Sequence, residues 1–192
     1  MNIENIYPIN VGTLLASNED VASIDNQYRE FAGSIFNVLK PMWGDTTLSS
    51  SSSIKDFIHE YNQTSLSIFI TNSVGEFYQR NIGWDINFDD SVMRESWVNV
   101  SQKYGYQERH NHVAKRTFRV GISGVYYIQT NGHDGNLEFF PPDLYEGHYP
   151  ATYTVQPEVG KLVLFRSELY HRVRANLTEN DRISVSFNYF FS

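Results

Sequence analysis

The chain contains no cysteine. Disulfides, thiolate metal sites and cysteine nucleophiles are thereby excluded, and the redox compartment is left open. It also has no apolar run approaching the roughly 18 residues that a membrane span needs. Basic residues are few: 15 Lys and Arg against 22 Asp and Glu give a net charge of −7. No basic run occurs, which argues against a nucleic-acid surface or a polybasic membrane patch, since both need clustered cations. The opening residues MNIENIYPINVG lack the basic-then-apolar form of a secretory leader. A soluble cytoplasmic protein is the expectation, with no nucleic-acid or membrane partner.

Aromatic residues, by contrast, are abundant, with 13 Tyr and 13 Phe, and this composition favours strands. The length of 192 residues suits a single domain, 1–192. Its two halves read differently. From about residue 20 to 82 the pattern is mostly helical. Tyr28, Phe31, Ile35, Val38 and Leu39 form one amphipathic stripe, stopped by Pro41 and Gly44. Ile70, Val74, Phe77 and Tyr78 form a second, and the serine-rich stretch Leu48 to Ser53 between them reads as a loop. After Trp84 short strands with turn signals take over: Trp97 to Val100, Val120 to Gln129, Leu137 to Phe140, Tyr153 to Val155, Lys161 to Phe165 and Arg182 to Phe191. The expected architecture is mainly β with N-terminal helices. A helical support region covers about 1–83, and a β core of sandwich or barrel type covers about 84–192.

Two features carry chemistry. The last strand alternates, with Ile183, Val185, Phe187, Tyr189 and Phe191 on one face and Arg182, Ser184, Ser186 and Asn188 on the other. An edge strand with one wet face has the same pattern, but so does a strand whose polar face lines a site. His110 and His112 are two residues apart, which on a strand puts both imidazoles on one face, where they can share a metal. A pair of surface histidines in a loop has this spacing too. His171, shortly after the apolar strand 161–165, is the best candidate for a third ligand. His59, His133 and His148 sit in polar or turn-like surroundings and read as surface residues. Arg182 follows His171 by eleven positions. On a strand beside a metal it is suited to grip a carboxylate bidentately.

Several segments then occur in order: Ser96-Trp97-Val98-Asn99, His110-Asn111-His112, Ser123-Gly124-Val125-Tyr126-Tyr127, Gly135-Asn136-Leu137-Glu138-Phe139, Pro157 to Phe165, His171 and Arg182 to Asn188. This ordered set, about half the chain, resembles the iron- and 2-oxoglutarate-dependent oxygenases of the prolyl hydroxylase-like type, in particular a group common in marine bacteria and their phages. The resemblance implies a double-stranded β-helix (jelly-roll) core, Fe(II) as metal, and 2-oxoglutarate and O₂ as cosubstrates. It implies metal ligation by His110 and His171, and a salt bridge from Arg182 to the far carboxylate of 2-oxoglutarate with Ser184 beside it. Tyr126 or Tyr127 would reach the cosubstrate; only one of the two can face inward. No catalytic residue beyond the metal ligands is implied. Such an enzyme would hydroxylate a prolyl or other peptide residue, or a small molecule, in the cytoplasm, or in a host's cytoplasm if phage-encoded.

One position departs from the family's His-x-Asp pattern. Here it is His112, which replaces an anionic oxygen ligand with a neutral nitrogen. A three-histidine site is the expectation, with Glu138, Asp134 or Asp143 as alternative carboxylate donors. The rival readings are a cupin-like three-histidine dioxygenase that does not use 2-oxoglutarate, and a non-enzymatic jelly-roll binding or virion domain. Arg182 is what separates them. The aromatic-rich stretch between Pro141 and Pro157 reads as either a mobile entrance or a static surface connection.

Overall fold

The computed structural model describes residues 1–5, 10–82, 93–112, 120–140 and 152–191. Strands β1 (Asn2–Asn5) and β2 (Asn10–Leu15) come first, followed by helix α1 (Asn18–Phe36). Ser17 caps α1: its backbone is extended and its Oγ accepts from the Asp20 N–H. Glu19 and Asp20 place negative charge at the positive end of the helix dipole. Ile24, Tyr28 and Ile35 form the buried face. Next come β3 (Lys40–Pro41), β4 (Thr47–Ser49), the single-turn α2 (Phe57–Glu60) and the long α3 (Thr64–Ile82). Leu66, Ile70, Val74 and Phe77 of α3 are almost wholly buried.

The remaining strands are β5 (Met93–Ser101), β6 (Gln107–His110), β7 (Val120–Gln129), β8 (Leu137–Phe139), β9 (Tyr153–Val155), β10 (Lys161–Arg166), β11 (His171–Val173) and β12 (Arg182–Phe191). They form two antiparallel sheets. The larger has the order β1-β2-β10-β7-β12-β5-β4-β3 and the smaller β6-β11-β8-β9. This is the two-sheet sandwich that the strand pattern predicts.

The alternation of each central strand sorts the core into two layers. Ile122 and Tyr126 of β7, Leu162 and Leu164 of β10, and Val185 and Phe187 of β12 pack with the helices. Tyr127, Val163 and Phe165 turn the other way, toward Leu137, Phe139 and Val155 of the smaller sheet. Each fully buried large apolar side chain contributes about 1.5–3 kcal/mol, so one face of the large sheet is held firmly against α1 and α3. Its other face is free to carry polar groups. No helix among the described residues is long and apolar enough to cross a membrane.

Among the described residues, the region before residue 83 holds the two expected long helices and also four strands. β2 adds to the large sheet through β10, with Val163 opposite Thr13. The hairpin of β3 and β4 turns at Gly44, whose φ of +73° suits glycine. The serine-rich stretch read as a loop begins inside β4. It is tied to β5 by the Val98 N–H donating to Ser50 Oγ and the Ser50 N–H donating to the Val98 carbonyl. β1, β3 and β4 are too short to show a period of two, and the partners that tie β2 and β4 into the sheet, β10 and β5, lie far away in sequence. Asp143 and His148 lie outside the described residues, as does most of the stretch between Pro141 and Pro157.

Candidate metal centre

His110 is the last residue of β6 and His171 the first of β11, and the two face each other directly in the antiparallel ladder. His112 lies two residues past the end of β6, where its backbone N–H donates to the Ser167 carbonyl in the turn after β10. The three rings converge, with centroids 4.4 Å apart for His110 and His171 and 5.1 Å for the other two pairs. One ring nitrogen from each lies within 4.8 Å of the others. An ion with metal–nitrogen bonds of about 2 Å closes such a span with a small ring rotation.

The tautomers follow from backbone carbonyls. His110 Nδ1 donates to the Glu108 carbonyl at 2.6 Å and His171 Nδ1 to the Leu169 carbonyl at 2.9 Å. Both rings thus present an unprotonated Nε2, the form that binds a metal. Burial lowers the pKa of all three imidazoles, and their proximity lowers His112 and His171 further. His112 is pushed down to about 3. Three neutral imidazoles, His171 buried and His110 and His112 half-buried, face one point with no anion among them and fit a divalent cation.

Neither described carboxylate alternative reaches the triad. Glu138 accepts from Arg172 Nε at 2.7 Å and from Arg174 Nε at 2.6 Å. Its β8 neighbours Leu137 and Phe139 pack into the layer between the sheets, so Glu138 points the other way. Asp134 is fully buried but is used by its own turn, accepting from Thr130 Oγ1 and the Asn131 N–H. His59 and His133 are exposed.

The triad opens into a cavity of about 410 Å³ between the sheets. Arg182, Ser184, Ser186 and Asn188 all line it, so the polar face of the last strand is an interior one. Arg182 is 3% exposed. Its Nη1 donates to the carbonyls of Asp134 and Gly135 at 2.7 and 2.8 Å, and its Nη2 to Ser101 Oγ at 2.8 Å. Those bonds use three of its five N–H groups. Among the described residues, Nε and one hydrogen of Nη2 remain for a ligand. Burial lowers the arginine's pKa, partly offset by Tyr127 and Asp134, but a guanidinium stays charged in any protein.

Tyr127 lines the cavity and Tyr126 does not. Tyr126 is on the helix side of β7, with its ring 5.9 Å from Phe69. Burial pushes the Tyr127 phenol up to about 12, against a lowering by Arg182, so it is a neutral donor. The indoles of Trp43 and Trp97 also line the cavity, 5.2 Å from His110 and 5.7 Å from His112.

Residues 95–188 match the family model described as "Putative 2OG-Fe(II) oxygenase". The jelly-roll core belongs to the 2OG-Fe(II) oxygenases. An oxygenase of this family uses Fe(II), 2-oxoglutarate and O₂. Among solved structures, the chain is similar to a prolyl-4-hydroxylase from Pseudomonas putida (15% identity, 95% of this chain and 92% of that one, TM-score 0.66). It is also similar to a Trichoplax adhaerens prolyl hydroxylase in complex with a hypoxia inducible factor peptide fragment (16%, 94% and 83%, TM-score 0.66). A third likeness is to HygX from Streptomyces hygroscopicus with nickel, 2-oxoglutarate and hygromycin B bound (13%, 97% and 84%, TM-score 0.57). At these identities the likeness is one of fold. No match is found among curated proteins.

Some residues of this oxygenase's cavity escaped the sequence reading. Ser101 and the carbonyls of Asp134 and Gly135 orient Arg182, and Trp43 flanks the triad. Glu95 lines the cavity opposite Asn188. Its signal was available in part, because Asn188 continues the polar face that starts at Arg182.

Proposed function

We propose that this oxygenase holds its iron with three histidines and no protein carboxylate, using Nε2 of His110 and His171 and a ring nitrogen of His112. The observation that carries this reading is the convergence of three neutral imidazoles within 4.8 Å of one another, while Glu138 and Asp134 are engaged elsewhere. Three ligands leave positions open at an octahedral ion for small molecules. Arg182, with Ser184 and Tyr127 beside it in the cavity, would take the far carboxylate of 2-oxoglutarate on its remaining N–H groups. When bound, the metal and 2-oxoglutarate supply the oxidising chemistry, which consumes O₂ and releases succinate and CO₂.

The chain's own residues do the positioning. The carbonyls of Glu108 and Leu169 fix the tautomers of His110 and His171. Full burial of His171 and partial burial of His110 and His112 keep the imidazoles neutral. Asp134, Gly135 and Ser101 pre-orient the guanidinium, which lowers the ordering cost of binding a diacid. The reaction is hydroxylation of a second substrate, a peptide residue such as proline or a small molecule, in a cytoplasmic setting.

The test is calorimetric titration of 2-oxoglutarate into Mn(II)-loaded protein without O₂. The wild type should bind one equivalent. Arg182→Ala removes one partner of a buried charge pair at a cost of about 2–5 kcal/mol, so binding should weaken by about 30-fold or more, with Mn(II) binding nearly intact. Absence of binding in the wild type, or equal binding in the variant, would favour the dioxygenase reading without 2-oxoglutarate.

A further inference from the structure

Strand β12 serves as a ruler for the cavity. Its inward residues Arg182, Ser184, Ser186 and Asn188 all line it, and successive residues are about 3.4 Å apart along the strand. Ser186 pairs with Trp97, whose ring is 5.7 Å from that of His112, and Asn188 pairs through Ser123 with Phe165, whose ring is 4.7 Å from that of His171, so the triad sits over the Ser186–Asn188 end of the row. Arg182 is four residues from Ser186, about 14 Å along the strand. Asn188 and its ladder partner Glu95 are at the triad's own end of the row, six residues or about 20 Å along the strand from Arg182. A 2-oxoglutarate held on the Arg182 side of the triad leaves the Glu95 end of the row for the second substrate.

Glu95 is the single carboxylate among the described residues that line the cavity. Asn188 Nδ2 donates to its Oε2 at 3.1 Å, and Asn188 Oδ1 accepts from Ser123 Oγ at 2.7 Å. Ser123 and Asn188 are 1% and 3% exposed. This buried chain fixes one carboxylate oxygen and, among the described residues, leaves the other for a ligand. The indoles of Trp43 and Trp97 stand in the same cavity, and aromatic faces attract cations. Exposed Lys55 is at the same rim.

We propose that the second substrate carries an ammonium or guanidinium group docked on Glu95, so that this residue selects a basic amino acid, free or within a peptide, as the molecule presented to the metal. The proposal rests on the oxygenase site proposed above. Lys55 matches a carboxylate on the same molecule, which a free amino acid has and an internal peptide residue lacks.

The probes are Nα-acetyl N-methylamides of lysine and arginine, their norleucine and citrulline counterparts with the same blocking groups, and free lysine and arginine. Each is titrated calorimetrically into protein loaded with Mn(II) and 2-oxoglutarate in the absence of O₂. A cationic probe should bind at least tenfold more tightly than its neutral counterpart. Glu95→Gln, which is isosteric, should abolish that preference and leave Mn(II) and 2-oxoglutarate binding unchanged. Binding confined to the free amino acids and lost in Glu95→Gln supports the free amino acid as the source; binding of blocked and free forms alike supports a peptide. The proposal is overturned if no cationic probe binds, if neutral counterparts bind equally, or if Glu95→Gln keeps the preference. If 2-oxoglutarate does not bind the wild type, the loading step shows it before any probe is added. The oxygenase-site reading then fails and takes this proposal with it.

Discussion

His171 faces His110 across the β11–β6 ladder, with the ring centroids 4.4 Å apart. The backbone register of the smaller sheet therefore sets the spacing of two of the three converging rings. The ladder shifts register just beyond this pair, between His171 and Val173, so a regular pairing is kept where the imidazoles meet.

A ligand that binds the folded state alone stabilises it by mass action. Ni(II) or Mn(II) should therefore raise the Tm of the wild type in a concentration-dependent way. His110→Ala and His171→Ala should lose this rise, whereas His133→Ala, at an exposed position, should keep it. Differential scanning fluorimetry with graded metal reads all four, and an undiminished rise in His171→Ala would remove that residue from the metal site.

The two adjacent tyrosines separate binding from packing. Tyr127 lines the cavity, and Tyr126 packs under the helices beside Phe69. A single hydrogen bond is worth about 0.5–1.5 kcal/mol. Tyr127→Phe should therefore weaken 2-oxoglutarate about two- to tenfold, and Tyr126→Phe should leave its affinity unchanged. Titration of both variants checks this, and the opposite order would contradict the placement.

Gly135 has a φ of +106°, and a Cβ there would lie 2.1 Å from the Arg174 carbonyl oxygen and 2.9 Å from Arg182 Nη1. Gly135→Ala should cost at least about 1–3 kcal/mol in stability through backbone strain, with the overlap on the Arg174 carbonyl adding to it. Because the Gly135 carbonyl holds Arg182, the same change should weaken 2-oxoglutarate binding. Urea unfolding and calorimetry together read both effects. A folded Gly135→Ala protein with full affinity would show that the guanidinium does not depend on this turn.

The Glu138 carboxylate predicts a pH dependence of stability. Burial raises its pKa, but hydrogen bonds and charge from Arg174 and Arg172 outweigh that and bring it below its ordinary 4.5. A carboxyl depressed in the folded state stabilises the protein above its unfolded-state value, and that contribution fades as pH falls through the folded-state one. Glu138→Gln should thus be less stable than the wild type at neutral pH by about 1 kcal/mol. The gap should close as pH drops below 4.5. Urea midpoints of the two proteins across that range measure it, and a gap independent of pH would show that the ion pairs contribute nothing.

Local pattern was enough to read much of this molecule. Six of the strands, the two long helices and the two faces of β12 are written as periods of two or 3.6, because each element must bury one side. His110-x-His112 and the interval from His171 to Arg182 were legible for the same reason, as short-range spacings. What the sequence did not contain is partner choice. That β2 joins β10, that Glu95 meets Asn188 at a distance of 93 residues along the chain, and that Tyr127 faces inward while Tyr126 does not are all settled by tertiary structure. Ladder hydrogen bonds form between backbone groups that are chemically alike in every residue. Which strands pair, and in which register, is decided only when the buried faces of the whole sandwich pack together.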